Sequence, residues 1–157
     1  MYNAVQSFND RYQPKVITLD KFTSVNQIQA APQTSGRYKF IPTTQAVAVL
    51  ADYGWQPVAA MQARTRKEDN EGYQKHALRL MNDRFNKEMM VGSTLPQLML
   101  TNSHAGTSAF ELSLAFFEKI CANGLCVYRG DASTIRVRHV GYEDLKMESA
   151  VREMVGQ

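Results

Sequence analysis

The chain is 157 residues long with 44% hydrophobic content, enough apolar material for one substantial core and an ordinary length for one domain. It has no apolar run able to span a bilayer and no charged-then-apolar leader, which argues against a membrane or secreted protein and for a soluble intracellular one. The net charge of +3 is concentrated early: residues 1–66 carry seven Lys/Arg against three Asp/Glu, whereas the remainder is balanced.

In chain order, residues 1–36 read as an N-terminal arm that is loosely packed or an oligomer contact, with only Lys15 to Phe22 resembling a short strand. Residues 37–157 read as a single α+β domain. Arg37 to Ile41 is extended, Pro42-Thr43-Thr44 stops it and caps the next helix, and Ala46, Val49, Leu50 and Tyr53 repeat at helical spacing until Gly54. From Trp55 to Arg66 the residues alternate. Ala59, Met61, Ala63 and Thr65 fall on one side, and Gln62, Arg64 and Arg66 on the other. A polar loop at 67–72 leads to a return strand, Tyr73 to Met81, in which Tyr73, Lys75, Ala77, Arg79 and Met81 share a face opposite His76, Leu78 and Leu80. A long link, Asn82 to Thr94, reads as a mobile arm before a third strand, Leu95 to Leu100.

The stretch TNSHAGTSAFELSLAFFEKICANGLCV, residues 101–127, then reads as a polar turn opening a core helix. Ser108 and Glu111 have capping-box spacing, Phe110, Leu114, Phe117 and Cys121 recur on one face, and Asn123-Gly124 supplies the C-terminal cap. Cys121 and Cys126 are expected to be buried free thiols. Leu125 to Tyr128 should pair with Thr134 to Val140 across an Arg129-Gly130-Asp131 turn, placing Arg136 and Arg138 together, and Tyr142 to Val155 should form a C-terminal amphipathic helix. The expected architecture is an antiparallel sheet packed on a central helix, in the order helix, three strands, helix, strand hairpin, helix.

Signatures of common chemistries are missing: the chain has no Walker motif, G-x-S-x-G, H-E-x-x-H or GxGxxG. No catalytic residue, cofactor or metal is therefore assigned. His76, His104 and His139 would make an open metal site only if the strand ends converge, and structural or phosphate-contacting roles fit them better. Asn102, Ser103 and His104, at the entrance to the expected helix, are a candidate anion or turn site. A second feature has a clearer rationale. If Leu78 and Leu80 face the core, then Lys75 and Arg79 join Arg64 and Arg66 on an outer wall, with Arg136 and Arg138 beside them, and such a wall neutralises phosphates. Tyr73 and Trp55 are candidate stacking platforms for bases, although Trp55, between a helix-ending Gly and Gln-Pro, reads rather as a core anchor.

The segments RYKFIPT (37–43), GYQKHALRL (72–80), LTNSHAGTSAFEL (100–112) and ICANGLCV (120–127) resemble a phage- and plasmid-borne domain-of-unknown-function family. The element order also resembles, in pattern only, the single-strand annealing recombinases of phages. The likeness implies an ATP-independent, oligomeric protein of the bacterial host cytoplasm that lays single-stranded DNA along Lys75, Arg79, Arg64 and Arg66, with a phage exonuclease as a candidate partner. A rival expectation is an anti-defence protein that binds a host nuclease or signalling enzyme. A metal-dependent enzyme using the three histidines is the third.

Overall fold

A computed structural model describes residues 16–82, 84, 94–119, 126–140 and 144–156. Two helices lie on one face of a five-stranded antiparallel sheet whose strands pair in chain order. These are α1 (Thr43–Asp52), β1 (Trp55–Gln62), β2 (His76–Asn82), β3 (Thr94–Asn102), β4 (Phe110–Lys119), β5 (Cys126–Val137) and α2 (Asp144–Val155). The α+β class expected from the sequence holds.

The inner face follows from parity. In-register rows run Ala60, Leu78, Leu100, Leu112, Ile135 and then Pro57, Leu80, Leu98, Leu114, Ser133. Each fully buried Leu in these rows contributes roughly 1.5–3 kcal/mol. Ala46, Val49 and Leu50 of α1 and Met147 and Val151 of α2 close over them. Trp55, almost fully buried, belongs to this core and is an anchor rather than a stacking platform.

Two expected elements are corrected. Where the sequence predicts a core helix from Ser108 onward, Phe110–Lys119 is instead the strand β4. Its segment FELSLAFFEK matches a helical stripe, but it also alternates with period two, and it lies between β3 and β5, where every backbone group finds a ladder partner. Phe110 and Leu112 point inward while Glu111 and Ser113 point outward, so the Ser108/Glu111 pairing caps nothing. The second correction concerns Arg129-Gly130-Asp131, which makes no hairpin. It lies inside β5, where the register skips at Arg129 and again at Ala132 opposite β4. Gly130 takes φ 136°, so it serves a bulge rather than a reversal. The thiol of Cys126, and the stretches around Cys121, Asn123-Gly124 and 85–93, lie outside the described residues.

Residues 16–22 form no regular strand, although the Ile17 N–H donates to the Pro57 carbonyl at 2.9 Å. Beyond them the arm is packed against the sheet. Val25 and Ala31 are buried, and Ser24 donates through both its N–H and its hydroxyl to Gln62 Oε1. Gly54 ends α1 with φ 88°, and a Cβ there would meet the Asn82 amide at 3.2 Å while that amide holds the Tyr53 carbonyl. Gly54→Ala is therefore expected to cost about 1–2 kcal/mol, readable as a lowered urea midpoint.

Candidate functional site

The two candidate sites fare differently. The expected wall of six cations is divided by strand pairing. Gln62 stands directly opposite His76, so the parity that carries Gln62 toward Arg64 is the inward one, and β1 ends before Arg64 and Arg66 are reached. Both arginines sit exposed in the loop after β1. Lys75 lies on the outward parity just before β2, its carbonyl accepting the Ala63 N–H at 2.7 Å. Arg79 and Arg136 do share the outward face, which neither α1 nor α2 covers, and Arg138 is exposed just past β5. Arg136 is faced across the ladder by Glu111, so the positive character gathers on the β1–β2 side.

On that side the outward rows read Met61, Ala77, Thr101, Glu111, Arg136 and Ala59, Arg79, Met99, Ser113, Thr134. Small side chains at 59 and 77 beside long ones at 61, 79 and 99 leave a depression of about 170 Å³ lined by Ala59, Met61, Ala77, Arg79 and Met99. Met61 stands mostly in solvent, with 68% of its surface exposed.

The inward face holds what the sequence did not place together. The inward parity of β2 and β3 continues past its leucines into polar residues, His76 on β2, Asn102 at the end of β3 and His104 just beyond it, all buried. His139, just after β5, joins them, and Thr43, at the first position of α1, comes down from above. Thr43 makes no cap bond; its hydroxyl turns inward instead. The hydrogen bonds form one line. His139 Nδ1 meets the Lys39 carbonyl at 2.9 Å, and its Nε2 meets Asn102 Oδ1 at 2.9 Å. Asn102 Nδ2 donates to the Ile41 carbonyl at 2.8 Å and to Thr43 Oγ1 at 3.0 Å. Thr43 Oγ1 lies 2.7 Å from His76 Nε2 and 3.4 Å from His104 Nε2, and His76 Nδ1 meets the Gln74 carbonyl at 3.1 Å.

Those partners fix the protons. A carbonyl accepts only, so His76 carries its hydrogen on Nδ1 and takes the Thr43 hydroxyl hydrogen at Nε2, which is a neutral ring. Burial holds His76 down to about 4 and His104 to about 3, with repulsion from His76 and His139 adding to the latter. Phe40 packs on His104 at 4.7 Å between ring centres, and Tyr38 stacks on His139 at 4.6 Å and 11°. The Tyr38 hydroxyl donates to the Ser103 carbonyl. Ser103 holds its own turn, accepting from the Ala105 and Thr107 N–H groups, so its hydroxyl is engaged in the chain rather than aimed at an anion.

What this cluster can do is limited by where it lies. Thr43, His76 and the Gln74 carbonyl have the order of nucleophile, base and orienting group, but Thr43 and His76 are both buried. The three imidazoles converge without aiming at a common point, since His139 Nε2 is committed to Asn102 and His76 Nε2 to Thr43. Among the described residues no group of three His, Cys, Asp or Glu is arranged to hold a metal ion. The cluster is a polar keystone joining segment 38–43, β2, β3 and the chain after β5.

An α+β protein with one helix-covered face, one face that no described helix covers and a buried histidine cluster is thus defined. The chain belongs to the family described as Domain of unknown function (DUF932), whose model matches residues 32–156. It is similar to the UPF0380 proteins YafZ and YfjQ of Escherichia coli (strain K12), each 34% identical over 131 residues. That stretch is 83% of this chain and 43% of each relative, so the chain spans less than half the length of the curated relatives it matches. No solved structure matches it. Among the described residues no helix is long and apolar enough to cross a membrane.

Proposed function

We propose that the chain binds single-stranded nucleic acid, DNA in the first instance, along the β1–β2 side of its open sheet face, without ATP, and supports annealing-type strand pairing as an oligomer. The observation that carries the reading is the outward depression between Ala59, Met61, Ala77 and Met99 with Arg79 on its rim and Lys75 on the same parity just before β2. Single strands bind where cations track the phosphates and each base finds a flat or polarisable surface. Methionine thioethers favour the edges of aromatic rings, by about 0.3–1.5 kcal/mol each, and a pocket floored by alanines admits a planar base. Lys75 and Arg79 lie roughly 13 Å apart along β2, a span covering about two nucleotides of extended strand. Arg64 and Arg66, exposed beyond β1 at the end where Lys75 lies, extend the track.

The test is fluorescence anisotropy with a labelled oligo-dT on the full chain. With about three phosphate contacts, raising salt from 50 to 200 mM should weaken binding about twentyfold. Lys75→Glu with Arg79→Glu should abolish binding at the higher salt, while Ala77→Met, which fills the depression and leaves every cation in place, should weaken binding with an unchanged salt slope. A purified chain with no affinity for the oligonucleotide at 50 mM salt would end this reading.

A further inference from the structure

We propose that His139 is held as a doubly protonated imidazolium in the folded protein at neutral pH, and that this buried charge is a proton-dependent latch fastening segment 38–41 to the end of the sheet. The argument is one of donors and acceptors. His139 Nδ1 faces the carbonyl of Lys39 at 2.9 Å, and a carbonyl oxygen can only accept. His139 Nε2 faces Asn102 Oδ1 at 2.9 Å. Rotating the Asn102 amide to offer its NH₂ to the ring would turn Oδ1 onto the Ile41 carbonyl, now 2.8 Å from Nδ2, and set two acceptors against each other. The amide orientation is therefore fixed by Ile41. Both ring nitrogens then look at oxygens that only accept, which a neutral imidazole satisfies at one nitrogen and an imidazolium at both.

The surroundings agree. Tyr38, the aromatic ring stacked on His139, is uncharged, because burial pushes its phenol up to about 12, and its face favours a cation. The other titratable groups facing the ring belong to the β2 and β3 ends. His104 is kept neutral chiefly by burial, with repulsion from His76 and His139 adding to it, and His76 is neutral through its own bonds. The side chains of Lys39 and Arg138, neighbours in sequence, are exposed. Among the described residues no carboxylate hydrogen-bonds the ring, so the charge is met by dipoles alone. Burial pulls the ring below the ordinary histidine range by more than the Lys39 carbonyl lifts it, and the Asn102 oxygen and the Tyr38 face are the further contacts set against that pull.

The mechanical consequence follows from the backbone. The Lys39 N–H donates to the His139 carbonyl, and Tyr38 bridges Val140, so the ring's bond to the Lys39 carbonyl closes a two-way clasp between the segments. Removing the ring proton sets a lone pair against either Lys39 or Asn102 and opens one side.

The full chain, labelled with ¹⁵N at histidine, tests this by long-range ¹H–¹⁵N correlation at pH 7. The histidine in contact with the Tyr38 ring should show both nitrogens at imidazolium shifts while the other two show single tautomers. On raising the pH, the Lys39 and Asn102 amide signals should move with that ring's titration. Three neutral rings at pH 7 would overturn the proposal, as would a charged His139 whose titration leaves the Lys39 and Asn102 signals unmoved.

Discussion

Between pH 7 and pH 4 the folded state is expected to lose several kcal/mol of stability, read as a urea midpoint that falls steadily as each buffer is made more acidic. The cause is the pair His76 and His104. In the unfolded chain each imidazole takes up a proton near its ordinary value of 6.5, but in the fold burial holds them at about 4 and about 3. Their folded values are depressed, so their contribution is complete above 6.5 and is lost as pH falls, since below that point the unfolded chain binds protons that the fold refuses. Each unit of depression corresponds to about 1.4 kcal/mol, so the pair amounts to something on the order of 5 kcal/mol or more, comparable with the total stability of many domains. His104→Phe isolates the effect. Phe40 already packs on that ring, the bond it makes to Thr43 is long, and a benzene ring does not titrate. The variant should show a flatter pH profile with the larger of the two steps removed. A wild-type midpoint that stays level from pH 7 to pH 5 would show that these rings are not shielded in the way the fold implies.

The same cluster shows what sequence reading reaches and where it stops. α1, the β1–β2 pair, β3 and α2 are legible because their apolar residues match one period only, and Gly54 and the polar loop at 67–72 mark their ends. Phe110 to Lys119 is not, because Phe110, Leu114 and Phe117 satisfy a helical stripe while Phe110, Leu112, Leu114 and Phe116 satisfy a strand. The tie is broken only by having β3 and β5 on either side, which is a fact of tertiary structure. Gly130 misleads similarly, since a glycine between short apolar runs fits a hairpin as well as a bulge. The cationic wall fails at one step, the register between Gln62 and His76, because a shift of one residue moves a whole strand's side chains to the other face.

The histidines are hydrogen-bonded and buried, in line with the structural role expected of them, but their meeting is not part of that expectation, and a signal for it exists. Along β3 and the two residues after it the inward parity reads Leu98, Leu100, Asn102, His104, and along β2 it reads Leu80, Leu78, His76. A core parity that turns polar at the same end of two neighbouring strands announces a buried polar cluster, because these groups cannot be solvated there and must find one another. What no spacing supplies is the contribution of Thr43 and His139, which lie 33 residues before His76 and 37 after Asn102.

Replacing Asn102 by Leu should be the most damaging single substitution outside the apolar core. Leu keeps the same branched four-atom side-chain skeleton but is bulkier, and the larger loss lies in what the amide connects. Asn102 is the only described side chain that joins both halves of the line, accepting from His139 and donating to Ile41 and Thr43. With Leu there, the Ile41 carbonyl loses the Asn102 donor, the Thr43 hydroxyl loses its fixed orientation toward His76, and His139 Nε2 faces hydrocarbon. Each stranded buried group costs about 1–3 kcal/mol, which together suggests a loss of about 3–5 kcal/mol. Ser113→Ala is the matched contrast: that hydroxyl bonds Thr134 at 3.0 Å on the open face, and its loss should cost no more than about 1 kcal/mol. Because the network is shared, Asn102→Leu and Thr43→Val should be far from additive, the double variant being little worse than the more damaging single one. Additive losses in that cycle would mean that the two residues act separately, and that the four segments are held by apolar packing rather than by this line of hydrogen bonds.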